Sequence, residues 1–201
     1  MRKKCLYLHV PKTAGSALNC CKISQKIKFK IHPISPLGAW KIIESENKQG
    51  WFKAAFVRNP WDRFISLYFY FYNMQPDHFA YKYDSQTVEN IQRFPTFEDF
   101  CLNFTDFDEA QPFKKFHFFN QHLWTHNKGK CFVDFLGRYE NLNSDLFKLE
   151  DIVGAPHCRL PHANASPHTH YAEHYTPRTI DIVADLYKDD IDLLNYDQPQ
   201  T

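Results

Sequence analysis

Short apolar runs that alternate with helix-forming segments constrain the fold of this chain more than any other feature of its sequence. The runs at 5–10, 27–31, 52–57 and 131–136 have the length and the apolar content of buried strands. A helix-forming segment follows each of them. Because strands joined by helical crossovers pair in parallel, this order predicts an α/β fold with three layers, a mainly parallel sheet flanked by helices.

The sequence marks one helix start with particular clarity. Asn59 can cap a helix, Pro60 suits its first position, and Asp62 places negative charge near its positive end. We therefore predict a helix over 60–72. Weaker patterns predict further helices over 35–46, 97–104, 113–126, 143–153 and 177–194.

Composition narrows the class of protein. The chain has 201 residues, with 24 Lys and Arg against 23 Asp and Glu, which gives a formal charge of +1. A chain of this length can bury one core without staples, so we expect a single domain over 1–201. A balanced charge argues against nucleic-acid binding, which usually requires a basic excess.

The sequence offers no membrane-spanning segment and no disulfide framework. No apolar run approaches the roughly 18 residues that cross a bilayer, and the apolar stretch near the N-terminus is too short for a signal-peptide core. The six cysteines are scattered and form no C-x-x-C pair. We therefore expect reduced thiols in a soluble, cytoplasmic protein.

Two strand-to-helix junctions carry residues that suit anion binding. In 9–17 a strand end leads through Lys12 and small residues into a helix start, and in 56–66 Arg58 leaves a strand ahead of Ser66. Ligands of open parallel sheets bind beyond the carboxyl ends of the strands, where backbone N–H groups and such cations can meet phosphates. The first junction is not a Walker loop, because Lys12 precedes its only glycine.

The two junctions together resemble sulfotransferases that use 3′-phosphoadenosine 5′-phosphosulfate (PAPS), and the carbohydrate sulfotransferase (family 2) branch in particular. The resemblance rests on Pro11-Lys-Thr-Ala-Gly-Ser16 and on Val57-Arg-Asn-Pro-Trp-Asp-Arg-Phe-Ile-Ser-Leu-Tyr68. Further similar blocks follow in the same order, at Gln121, 133–142, 160–166 and 187–196. Residues 74–112 match nothing in that branch. The resemblance implies the P-loop-NTPase-like sulfotransferase fold and an enzyme that sulfates a hydroxyl of a carbohydrate or other sugar-containing acceptor.

The resemblance also implies roles for individual residues. The 5′-phosphosulfate loop would comprise Lys12, Thr13, Ala14, Gly15, Ser16 and Ala17, with Lys12 stabilising the leaving phosphate. Arg58 and Ser66 would bind the 3′-phosphate, and Asn164 and Ser166 are further candidate contacts to the cofactor. His32, at the end of the second strand, would be the general base, since imidazole titrates near neutral pH. The product would be adenosine 3′,5′-bisphosphate, and the scheme requires no metal.

Two histidine-containing segments remain ambiguous from sequence. The loop that carries His162, His168, His170 and His174 suggests a zinc site, with Cys158 as a further candidate ligand. The spacing of His168 and His170 matches no common zinc pattern, so we expect this loop to cover the nucleotide or border the acceptor groove instead. In the aromatic segment 113–124 we expect Phe116, Phe119 and Leu123 mostly inside, and Lys114, Lys115, His117 and Gln121 toward solvent or the acceptor.

Two other functions stay open at this stage. A nucleotide-dependent phosphotransferase would use the same two anion sites with a different donor. A catalytically silent module that binds a nucleotide or a glycan would keep the anion sites and transfer nothing.

Overall fold

The structure is a computed structural model that describes residues 4–15, 18, 21, 23, 27–30, 39, 43–44, 50–104, 115–158, 160 and 170–199. Its contacts divide the chain into two compact units. The first comprises Met1–Asn59 and Phe119–Asn164, and the second comprises Pro60–Phe118 and Ala165–Thr201.

The described strands are β1 (Cys5–Leu8), β2 (Ile27–Lys30), β3 (Phe52–Val57), β4 (His126–Asn127), β5 (Lys130–Cys131) and β6 (Phe135–Arg138). The described helices are α1 (Pro60–Tyr72), α2 (Tyr81–Ile91), α3 (Phe97–Leu102), α4 (His122–Thr125), α5 (Leu142–Val153), α6 (Pro177–Leu186) and α7 (Lys188–Leu194). Single 3₁₀ turns lie at Lys115–His117, Tyr139–Asn141 and Tyr171–His174.

The first unit is built on a four-stranded sheet in the order β2-β1-β3-β6, and every pair in it is parallel. The prediction of a mainly parallel sheet is therefore confirmed. Successive side chains of a strand point to opposite faces, and β1 is buried on both. Tyr7 packs with Leu146 and Leu149 of α5 on one face, while Leu6 and Ile43 pack together on the other.

The fourth sheet strand differs from the predicted range of 131–136. It is β6, at 135–138, while Cys131 belongs to a short antiparallel hairpin of β4 and β5. The two residues between those strands, Lys128 and Gly129, both have positive φ, at 51° and 74°. Positive φ at both central residues is the geometry of a tight two-residue hairpin turn. Cys131 therefore pairs with His126 in the hairpin, and the chain joins the main sheet only at Phe135.

The predicted helices met different outcomes. The helix over 60–72 is confirmed, and α5 ends before Gly154, which adopts the left-handed conformation at φ 69° that suits glycine after a helix. The helix predicted over 113–126 is wrong in the described part, which holds a 3₁₀ turn and the four-residue α4. The predicted last helix is two helices that meet at Tyr187. No helix in the described ranges has both the length and the apolar content needed to span a bilayer.

The second unit has an aromatic core centred on α1. Phe64 contacts the rings of Phe97, Phe100, Phe104, Phe118 and Tyr187 at centroid distances of 5.0–6.1 Å. Buried polar atoms tie its elements together, since Trp61 Nε1 donates to the Ile180 carbonyl at 3.1 Å and Tyr175 Oη donates to the Trp61 carbonyl at 2.8 Å. Residues of α2 and α3, which lie in the segment 74–112 without a match to carbohydrate sulfotransferases, also belong to this core. The helix predicted over 97–104 is α3, which ends at Leu102.

The cysteines contradict the prediction of reduced thiols in one respect. Cys21 and Cys158 form a disulfide in the first unit, across a sequence separation of 137 residues. Cys5 and Cys101 are buried free thiols, and Cys131 is an exposed one. Sequence spacing missed the pair because residues so far apart meet only through the fold.

We predict that Cys158→Ser lowers the free energy of unfolding by about 2–4 kcal/mol, because it frees a long loop in the unfolded chain. The measurement is thermal unfolding without reductant, and Cys131→Ser is the matched control because it removes an unpaired thiol. Equal melting temperatures for the two variants would contradict a native disulfide. Added reductant should lower the melting temperature of the wild type and leave that of Cys158→Ser unchanged.

Candidate functional site

Two loops meet at one edge of the sheet because their strands are neighbours. β1 and β3 pair in parallel, with Leu8 opposite Ala55, so both strands run toward the same edge. The segment Pro11–Gly15 follows β1 there, and Arg58 follows β3 directly. The pairing therefore brings together two segments that are more than 40 residues apart in sequence.

The backbone of the Pro11–Gly15 segment is held in a conformation that side chains disfavour. Lys12 and Ala14 have φ angles of 65° and 75°, in the left-handed region, where a non-glycine residue costs about 1–3 kcal/mol. A helical turn begins directly after it, where the Leu18 N–H donates to the Ala14 carbonyl at 3.0 Å. Such strain concentrates at functional sites, since the surrounding fold must impose it.

Thr13 ties this loop to the residue that precedes it. Its side chain is fully buried, and its hydroxyl donates to the Val10 carbonyl at 2.8 Å. Because that hydrogen is already used, Thr13 can donate to a bound anion only through its backbone N–H.

Gly15 packs closely against the His9 ring. A Cβ at this position would lie 2.1 Å from His9 Nε2 and 2.5 Å from His9 Cε1, far inside van der Waals contact. His9 follows β1 at the same edge, so its imidazole packs against the loop beside Gly15. The ring stands where any larger residue would place its first side-chain atom.

Arg58 is almost completely buried, at 6% exposure, and it is held through both its backbone and its side chain. The Arg58 N–H donates to Gln121 Oε1 at 2.9 Å, and Gln121 Nε2 donates to the Arg58 carbonyl at 2.7 Å. Its guanidinium donates from Nη1 to the Lys12 carbonyl at 3.3 Å and lies 4.0 Å from the centre of the Tyr139 ring. The backbone N–H of the next residue, Asn59, donates to Glu140 Oε1.

The positive charges of Lys12 and Arg58 act on each other. Burial lowers the pKa of Lys12 to about 8, and the nearby charge of Arg58 contributes to the decrease. Both effects disfavour the protonated amine in the ligand-free protein. An anion bound between the two cations would reverse the second effect, so this edge of the sheet is suited to polyanionic ligands.

The structure places the sequence-predicted site residues as follows. Lys12, Thr13, Ala14, Gly15 and Arg58 lie together in the first unit. Ser66 is buried on α1, in the second unit. Five others, Ser16, Ala17, His32, Asn164 and Ser166, lie outside the described residues.

Sequence reasoning placed one residue of this site wrongly and missed another. The sequence predicts that Gln121 faces solvent or the acceptor and that Leu123 lies mostly inside, whereas Gln121 is fully buried and Leu123 is 36% exposed. Both errors follow from treating 113–126 as one helix, which sets the wrong faces. Tyr139 was not singled out, because the strand that it follows was predicted at 131–136 and lies at 135–138.

Metal ligands are not assembled in the described part of the chain. No group of three or more His, Cys, Asp or Glu residues there has the geometry to hold an ion. Cys158, considered with the histidines as a ligand, is in the disulfide instead.

We predict that Gly15→Ala lowers the free energy of unfolding by about 1–3 kcal/mol, because the new methyl group collides with the His9 ring. Gly15 does not have a positive φ, so the collision is the cause to be tested rather than backbone strain. Thermal unfolding of Gly15→Ala, His9→Ala and the double variant gives the coupling between the two positions. The double variant should be more stable than the sum of the single losses predicts, and simple additivity would refute the packing explanation.

Comparison with known proteins gives one clear result. A family model described as the Sulfotransferase family matches residues 1–197, which is almost the whole chain and includes both units. No curated protein and no solved structure gives a significant match. The match agrees with the resemblance to carbohydrate sulfotransferases of family 2. The chain belongs to the sulfotransferase family.

Proposed function

We propose that the protein transfers the sulfuryl group of PAPS to a hydroxyl of a carbohydrate or other sugar-containing acceptor. One observation carries the choice of donor. Lys12 and Arg58 converge at one sheet edge, joined by the bond from Arg58 Nη1 to the Lys12 carbonyl, beside a strained loop of small residues. A donor with a phosphosulfate at one end and a phosphate at the other offers an anion to each cation.

The residues present fit this ligand chemically. Lys12 is a compact cation on a flexible stem, suited to the bridging oxygen of a phosphosulfate. Arg58 has a planar guanidinium that can bind a phosphate with two hydrogen bonds, and we assign it to the 3′-phosphate together with Ser66. Thr13, Ala14, Gly15, Ser16 and Ala17 complete the 5′ side of the proposed site, and Asn164 and Ser166 are the remaining proposed contacts.

The proposed transfer is an in-line displacement. Bound PAPS supplies the sulfuryl group. His32 takes the proton from the acceptor hydroxyl as its oxygen bonds to sulfur, and the bond from sulfur to the bridging oxygen breaks. Lys12 stabilises the negative charge that develops on the departing phosphate, so adenosine 3′,5′-bisphosphate leaves as the product. The residues of this chain thus supply positioning and charge, as in phosphoryl transfer.

The setting of this activity is also part of the proposal. The family match over 1–197 supports a single sulfotransferase domain, and the parallel sheet is compatible with the P-loop-like fold of that family. The cytoplasmic location predicted from sequence stays a prediction. The Cys21–Cys158 disulfide weighs against it, because disulfides persist mainly in oxidising compartments.

The test is ligand binding followed by turnover, in wild type and Arg58→Ala. Adenosine 3′,5′-bisphosphate at 100 times its Kd adds about 2.7 kcal/mol, which should raise the melting temperature by roughly 5–10 °C. Arg58→Ala should lose most of this rise and abolish sulfation of a sugar acceptor. A rise with ATP alone would indicate a phosphotransferase, and binding of the bisphosphate without any transfer would indicate a silent module.

Two further variants separate binding from chemistry in the same assay. Lys12→Ala should abolish turnover, because the leaving phosphate loses its counter-charge. His32→Ala should lower kcat more than it weakens binding of the bisphosphate. Full activity in either purified, folded variant would remove that residue from the mechanism.

The lowered pKa of Lys12 predicts how ligand binding depends on pH. In the free protein Lys12 is protonated below about pH 8 and loses its charge above it. A bound anion favours the protonated form, so affinity for the bisphosphate should be highest below pH 8 and fall as the pH rises beyond it. Calorimetric titration between pH 7 and 10 measures this, since phosphate groups with a second pKa near 6 are about 90% dianionic at pH 7 and more so at higher pH.

Lys12→Arg is the matched control for the pH experiment. An arginine stays charged to beyond pH 12, so its affinity should be nearly constant from pH 7 to 10. A wild-type affinity that also stays constant over that range would contradict the lowered pKa of Lys12.

A further inference from the structure

The backbone of Arg58 lies beyond the last paired residue of its strand. Val57 is opposite Arg138, and these two residues end the pairing of β3 with β6. Gln121 takes over at the next residue, because its side-chain amide accepts from the Arg58 N–H and donates to the Arg58 carbonyl. One side chain thus supplies both hydrogen bonds that a neighbouring strand would have provided.

Gln121 is itself held firmly in place. It is fully buried and directly precedes α4, and its carbonyl accepts from the Trp124 N–H at 3.0 Å. Trp124 belongs to a buried cluster with Val10, the residue just before Pro11. Both segments of the proposed anion site are therefore held at α4: Val10 packs with Trp124 of the helix, and Arg58 is hydrogen-bonded by Gln121, the residue just before it.

Tyr139 constrains the other end of Arg58. It follows β6 directly, so the pairing of Val57 with Arg138 brings its ring beside the Arg58 side chain. The aromatic ring contacts the flat face of the guanidinium, whereas a phosphate binds to the N–H groups along the edge of the guanidinium. The ring therefore orients the guanidinium without competing for the hydrogen bonds that a phosphate would accept.

We propose that Gln121 is a positioning residue, which with Tyr139 holds the Arg58 guanidinium ready to bind the 3′-phosphate of the donor nucleotide. The inference rests on the proposed function, since it concerns how that site selects its donor. A cation held in its binding geometry loses less conformational freedom when the anion arrives. Gln121 and Tyr139 should therefore determine how strongly the protein prefers nucleotides with a 3′-phosphate over those without one.

The test compares two nucleotides that differ only at that position. Adenosine 3′,5′-bisphosphate and adenosine 5′-phosphate are titrated into wild type and Gln121→Met by calorimetry. In Gln121→Met the Kd for the bisphosphate should increase about tenfold, which corresponds to about 1.4 kcal/mol, because a displaced Arg58 guanidinium binds the 3′-phosphate less well. The Kd for the 5′-phosphate should change little, because that nucleotide lacks the group that Arg58 binds. A general structural defect would weaken the binding of both nucleotides alike, and that result would overturn the proposal.

Two further variants keep the test decisive where Gln121→Met folds poorly. Tyr139→Leu leaves the Gln121 bonds intact and removes the stacking face, so it should reduce the same preference. Thr87→Val is the matched control, because it removes a buried hydroxyl from α2 without removing a contact to Arg58, Gln121 or Tyr139, and it should keep the preference of the wild type. An unchanged preference in both Gln121→Met and Tyr139→Leu would overturn the proposal.

The wild type itself separates this inference from the proposed function. Equal affinity of the wild type for the two nucleotides would overturn the PAPS assignment and the role of Gln121 with it. A clear wild-type preference for the bisphosphate that survives in the variants would overturn the role of Gln121 and leave the PAPS assignment standing.

Discussion

The parallel pairing of β1 with β3 is the constraint on which the rest of the proposed site depends. It sends both strand ends to one edge of the sheet, so that Lys12 and Arg58 become neighbours although they are 46 residues apart. An antiparallel pairing of the same strands would place their carboxyl ends at opposite edges. The strained loop after β1 and the hydrogen bonds of Gln121 to the Arg58 backbone both lie at this edge of the sheet.

Holding two cations together has an energetic cost that the fold must offset. Burial and the charge of Arg58 both lower the pKa of Lys12, and the loop that carries Lys12 has two residues in the left-handed region. These features lower the stability of the ligand-free protein, and both are what an anion-binding site requires. The parallel sheet and its two buried faces supply the stability that allows such a loop to persist.

The disulfide connects this site to the rest of the first unit. Cys21 lies in the segment that follows the strained loop, and Cys158 follows α5, which covers one face of the sheet. The loop is therefore restrained on both sides in sequence, by β1 before it and by the disulfide at Cys21 after it. It also bears on where the protein works, because a reducing compartment would remove that restraint.

The sequence by itself determined the class of fold, the junctions that carry Lys12 and Arg58, and the family. These signals are local, since apolar runs, Asn59-Pro60 and small residues around Lys12 act over a few positions. Only the tertiary structure decided the place of β6, the burial of Gln121, the packing of the His9 ring beside Gly15, and the disulfide of Cys21 with Cys158. Each of these joins residues that are distant in sequence or depends on which face an element presents. No local pattern encodes such contacts, because they exist only once the strands have paired.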